Sequence, residues 1–291
     1  MTIGGAFHGD PAVRDAALER LDDCIARDAI QQRRLFWDGT SGSPLGCLLH
    51  SQDLAAWTDQ LNLPLALAMP AEFLATNDTV GVQRLKALID DIAPGADAFG
   101  LAGEMVIWLL DDVIAGISDD PVAADLVATA SELRGMQTAV LAGGGPSPQA
   151  WRAVRRQAMA QVEAAEESPI LVAAGRAIEA AAWDAGTASS ALYDTLEAWL
   201  NWQLQRAGCP TPAEFSIMND LLDQVDPAFF GTEGLEREAL RLIESAHPEL
   251  HAKIMDFKAR GGAVNLSLID RVNDAMIAMA RALPVPLPKV P

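Results

Sequence analysis

Apolar residues recur at steps of three and four along most of the chain, the spacing that lines one face of an α-helix. The first such stripe is Val13, Ala17, Leu18, Leu21, Cys24 and Ile25, directly after Asp10-Pro11, a cap residue followed by proline at the first helical position. From Arg33 to Leu49 the rhythm breaks, and Gly39, Gly42, Pro44 and Gly46 mark a loop with Phe36 and Trp37 at its entrance. Ser51 is placed to cap a short helix through Leu61, and Pro64 opens another that Pro70 interrupts or kinks. Thr79 to Ile92 reads as helix and stops at Pro94-Gly95; Ala96 to Ile117 and Pro121 to Leu133 follow.

The run Gly143-Gly144-Gly145-Pro146-Ser147-Pro148 is the strongest internal punctuation and reads as a linker or an exposed corner. It divides an N-terminal helical half (1–142, with a Gly/Pro-rich loop at 38–50) from a C-terminal helical half (149–283), ahead of a Pro-rich tail (284–291). In the second half Gln149 to Glu167, Pro169 to Ala185 and Thr187 to Ala207 read as helices. Thr211-Pro212, Thr232 with Glu236, and Ser267 before Leu268 look like later starts. The best strand candidate, Gln137 to Leu141, is short, and no fixed repeat is visible. The pattern predicts an all-α, multi-helix array of about 10–12 helices, as one large unit or two packed halves.

Composition agrees with that reading. Half of the residues are hydrophobic, and alanine and leucine outweigh β-branched and aromatic types, which favours packed helices over sheet. The formal net charge is −19, from 40 acidic and 21 basic residues. Such a surface repels phosphate and disfavours nucleic acid as a direct ligand; its ordinary meaning is solubility, its sharper one a basic protein partner. Cys24, Cys47 and Cys209 form no disulfide framework and fit a reducing compartment. No basic-then-apolar leader precedes Arg14, and Phe99 to Ile117 carries Glu104, Asp111 and Asp112, which argues against a membrane span. A cytoplasmic protein is the expectation. Gly143 to Gly145 lacks the Gly-Lys-Ser/Thr ending of a phosphate loop, and no other cofactor signature is present.

Three groups of residues could carry chemistry. Cys47 with His50 pairs a thiol with a base in a loop, near a helix start that would favour thiolate; His8, before the first cap, could join them. Trp37, Asp111 and Asp112 are binding candidates, the two acids because they follow the very apolar Val106 to Leu110. Glu244 and His247 share a helix face, with His251 beyond, although Pro248 interrupts a simple zinc pair. For most of these residues an ordinary structural role is the commoner outcome.

Phe7-His8-Gly9-Asp10-Pro11, Asp28-Ala29-Ile30, Trp37-Asp38-Gly39, Gly42-Ser43-Pro44-Leu45-Gly46-Cys47-Leu48-Leu49-His50-Ser51, Leu61-Asn62-Leu63-Pro64 and Pro94-Gly95-Ala96-Asp97 together resemble a set of uncharacterised bacterial helical proteins over about residues 7–112. The resemblance implies a loop with two cysteines four apart, where this chain has Ser43 in place of the first. It carries no activity. The expectation is therefore a non-enzymatic, acidic protein-binding module, antitoxin-, immunity- or regulator-like. The alternatives are an enzyme or small-molecule sensor at the Cys47/His50 loop and a helical metal protein using Glu244, His247 and His251.

Overall fold

The computed structural model describes residues 5–76, 80–226, 229 and 234–285. Within them the chain is all-α, with thirteen α-helices and no strand. The first half supplies α1 (Pro11–Ala26), α2 (Pro44–Leu49), α3 (Ala55–Leu61), α4 (Ala68–Thr76), α5 (Gly81–Asp91), α6 (Leu101–Ile117) and α7 (Ala124–Leu141). The second supplies α8 (Pro148–Ala164), α9 (Pro169–Ala180), α10 (Ala191–Arg206), α11 (Pro212–Leu222), α12 (Gly234–Ala246) and α13 (Pro248–Arg281). None of these helices is long and apolar enough to cross a membrane.

Cap chemistry sets the boundaries. Helices α1, α2, α8, α9, α11 and α13 each begin on a proline, whose missing N–H would have lacked a partner there anyway. Before five of them, Asp10, Ser43, Ser147, Ser168 and Thr211 accept a first-turn N–H through their side chains. Thr211 and Glu214 form a complete capping box.

Several elements depart from the sequence pattern. Helix α2 lies inside the stretch read as loop, because Ser43-Pro44 is a cap pair hidden among the glycines. Gln137 to Leu141, the strand candidate, completes α7, which runs eight residues past the expected end at Leu133. Helix α13 is one continuous 34-residue helix through Gly261 and Gly262, so Ser267 opens nothing. Pro70 sits in the first turn of α4, where it removes no helical hydrogen bond. Thr79, Thr232 and the tail beyond Val285 fall outside the described residues.

One hydrophobic cluster runs from Ala6 to Ala280 and draws on helices from both sides of the Gly143–Ser147 corner. Helices α6, α9 and α10 lie at its centre, with α7, α8 and α13 around them. Trp57, Trp199 and Trp202 are fully buried anchors; each such aromatic takes 150–250 Å² out of water, by a general estimate of about that size. A smaller cluster of Leu221, Ile243, Leu250 and Ile254 joins α11, α12 and the start of α13.

Candidate functional site

The irregular segment between α1 and α3 folds around α2. Six residues are too few to form a helix unaided, and neighbours hold this one at both ends. Ser43 Oγ accepts from Gly46 N–H at its start. At its end Arg20 of α1 donates to Leu48 O (2.8 Å) and Gln60 of α3 donates to Leu49 O (3.0 Å). Burial lowers the Arg20 pKa. His50 closes the helix in the left-handed region (φ 47°, ψ 41°).

The loop ahead of α2 is pinned to it by backbone bonds. Ser43 N–H donates to Phe36 O (2.8 Å), Gly42 N–H to Ala29 O (3.0 Å) and Gln31 N–H to Gly42 O (2.7 Å). Asp38 turns the tip by accepting from the N–H groups of Thr40 and Ser41, and those bonds hold its carboxyl below the usual range. Gly46 is required by contact. A Cβ there would stand 1.9 Å from Phe36 O, far inside van der Waals distance.

Sequence reasoning missed the group at the centre of this arrangement. Glu72, on α4, is fully buried, and its two carboxylate oxygens accept from Leu35 N–H (2.6 Å) and Leu45 N–H (2.8 Å). Burial pushes its pKa up, while the Ser43 hydroxyl, the two amides and the Arg34 charge pull the other way. The available signal was a single acid inside the apolar run Ala68-Met69-Pro70-Ala71-Glu72-Phe73-Leu74-Ala75. Arg34, which faces Glu72, also lies over the rings of Phe73 and Tyr193.

The three catalytic candidates are each engaged elsewhere. Cys47 is buried, with Sγ 3.6 Å from Gly42 O. Burial, and then the neighbouring Cys24 thiol, push its pKa far up, so it is held as neutral thiol. His50 stacks on Trp37 with ring centroids 4.4 Å apart and planes 12° from parallel. His8 lies in a left-handed turn (φ 56°) before α1, its Nε2 3.3 Å from Asp59 O. Thus Trp37 holds His50, and no thiol–imidazole pair forms.

His50 carries a pH signature. Its pKa is lowered from 6.5, first by burial against its neighbours and then by the Arg20 and Arg27 charges. Folding therefore disfavours its protonation, so stability rises as pH climbs from the lowered folded value to 6.5 and is fully present above that. Urea unfolding of wild type and His50→Asn at several pH values should show this increment only in wild type. Asparagine tolerates the left-handed cap, and losing the stacked ring should cost roughly 0.5–1.5 kcal/mol at every pH.

The acidic candidates separate. Asp111 is half exposed and pairs with Arg134 across to α7 (2.6 Å). Asp112 ties three helices together. It accepts from Trp199 Nε1–H (2.8 Å) and Gln203 Nε2–H (2.5 Å) on α10 and pairs with Arg271 on α13. The Arg271 guanidinium also lies over the rings of Trp108 and Trp199. Glu244 closes α12 and His247 precedes α13. Among the described residues no three His, Cys, Asp or Glu side chains are grouped to hold a metal ion.

A further open surface feature lies away from this loop. Three adjoining cavities, of about 230, 410 and 310 Å³, all border Phe99 and together form a groove. Phe99 is 57% exposed, and Leu65 and Leu141 are further exposed apolar side chains along it. Asp97 and Glu104 supply its charge; no lysine, arginine or histidine borders it among the described residues.

The class these features define is an all-α helical array with an internally bonded loop and an acidic, apolar groove. The chain matches no protein-family model, no curated protein and no solved structure.

Proposed function

We propose that this chain is a non-enzymatic protein-binding module whose groove around Phe99 receives a basic segment of a partner protein, anchored by an apolar side chain. The groove itself carries this reading. An aromatic ring left 57% exposed at the meeting of three cavities is a common mark of an interaction surface. Its carboxylates, Asp97 and Glu104, form no ion pair within the described residues. A chain of net charge −19 would draw a cationic partner towards that face and repel nucleic acid. Burial of Cys47 and the stacking of His50 on Trp37 favour this reading over an enzyme or sensor at that loop. Three unpaired cysteines fit a reducing cytoplasm. An antitoxin-, immunity- or regulator-like role would use the same contact.

Affinity capture at low salt, followed by binding measurements with the purified, identified partner, tests it. Wild type is expected to hold a basic protein whose affinity falls as salt rises. Phe99→Asp and Glu104→Lys, both at exposed positions, should weaken it at least about tenfold while leaving Tm unchanged. Absence of a basic partner, or equal binding by both variants, would overturn the proposal.

A further inference from the structure

In the second half, a separate cavity of about 230 Å³ lies between the start of α8 and the turn after α9. For comparison, an engineered apolar cavity of about 150 Å³ holds benzene. Trp151 and Trp183 give it indole surface, and Pro146 and Pro148 complete the apolar wall. Trp183 is 41% exposed, whereas Trp57, Trp199 and Trp202 are fully buried.

Charge in this cavity runs against the rest of the molecule. Arg152, Arg155 and Arg156 fall within five residues of α8, and the first two line the cavity together with Asp184. Asp184 is occupied by its own turn, accepting from Gly186 N–H at 2.9 Å. The lining therefore holds two guanidinium groups against one carboxylate.

Neither arginine is saturated. Arg152 is exposed and makes no hydrogen bond or ion pair to the described residues. Arg155 lies over the Trp183 ring (4.6 Å) and reaches Glu179 only at 3.4 Å, while Glu179 bonds Arg176 more closely at 2.8 Å. The Nε of Arg155 is buried and has no acceptor among the described residues. A buried donor without an acceptor costs about 1–3 kcal/mol and is a place to look for a ligand.

We propose that this cavity binds a small aromatic monocarboxylate. The planar carboxylate would take the Arg152 and Arg155 forks, for which guanidinium geometry is matched. The ring would lie against Trp151 and Trp183. A monoanion balances the one excess positive charge of the lining, whereas a phosphate dianion would overcompensate it beside Asp184. The site is distinct from the Phe99 groove, although Thr187 borders both.

Benzoate is the probe. Titrated into the intact protein at low salt, it is expected to shift the indole N–H resonance of Trp183, assigned with Trp183→Phe, in a saturable way with a Kd on the order of 1 mM or below. Benzamide, the same shape without charge, should leave that resonance unmoved, and inorganic phosphate should bind more weakly than benzoate. Arg152→Ala, an exposed change with unaltered Tm, should weaken benzoate about tenfold or more. Arg155→Lys keeps the charge but removes the fork, and should weaken it as well. The proposal is overturned if benzoate produces no saturable shift, if benzamide binds as well, if phosphate binds as tightly, or if both variants bind benzoate like wild type.

Discussion

Replacing Gly46 with alanine is expected to destabilise the protein by about 3 kcal/mol or more, a drop of roughly 6–12 °C in Tm for a chain of this size. In an ordinary helix the same change would stabilise by about 1 kcal/mol, because alanine is the better helix former. Here the added Cβ would stand 1.9 Å from Phe36 O and 3.1 Å from Ser43 Oγ. The first of these atoms is backbone and already accepts the Ser43 N–H. Loop and helix must part, and the Phe36–Ser43 bond is lost with them. Thermal unfolding with near-ultraviolet circular dichroism checks both the size and the loss of packing around Trp37 and Trp57. A variant as stable as wild type would mean that the loop gives way at little cost.

Glu72→Gln is the second large effect, expected to cost about 2–4 kcal/mol. The side chain keeps its length, so the loss is electrostatic and not steric. Two oxygens now accept from Leu35 and Leu45; an amide offers one oxygen and one N–H₂, which sets a donor against a backbone donor at a fully buried position. The pH dependence has a definite sign. Burial raises the folded-state pKa of Glu72 above 4.5, so the folded protein holds this proton more tightly than the unfolded chain. Wild-type stability relative to Glu72→Gln is therefore greatest below 4.5 and declines as pH rises through the raised value. Denaturant unfolding of both proteins from pH 4 to pH 7.5 tests this; a gap that widens with pH would contradict it.

Both effects converge on one piece of structure. The segment around Cys47 looked reactive in the sequence because glycine, proline, thiol and imidazole occur together there. In the fold those glycines serve close backbone approach, and Ser43 and Glu72 consume the polar backbone groups of the loop. What remains exposed, His50 on Trp37, is a helix cap with a stacking partner. The loop is a structural joint, and open surfaces lie elsewhere, among them those at Phe99 and at Arg152 with Trp183.

The sequence by itself determined the all-α class and the cap-and-proline helix starts of α1, α8, α9 and α11, because both are local. Three- and four-residue apolar spacing and the pairs Asp10-Pro11, Ser147-Pro148 and Thr211-Pro212 act within one or two turns. Tertiary structure alone decided which polar groups were brought together. Glu72 meets Leu35 and Leu45 across 37 and 27 positions, and Asp112 meets Trp199 and Arg271 across 87 and 159. Cys47 and His50, three positions apart, are turned to different partners. Periodicity records which face of a helix is buried, but the partner on that face is set by how distant helices pack. A buried carboxylate and a buried guanidinium N–H without an acceptor acquire those properties only from that packing.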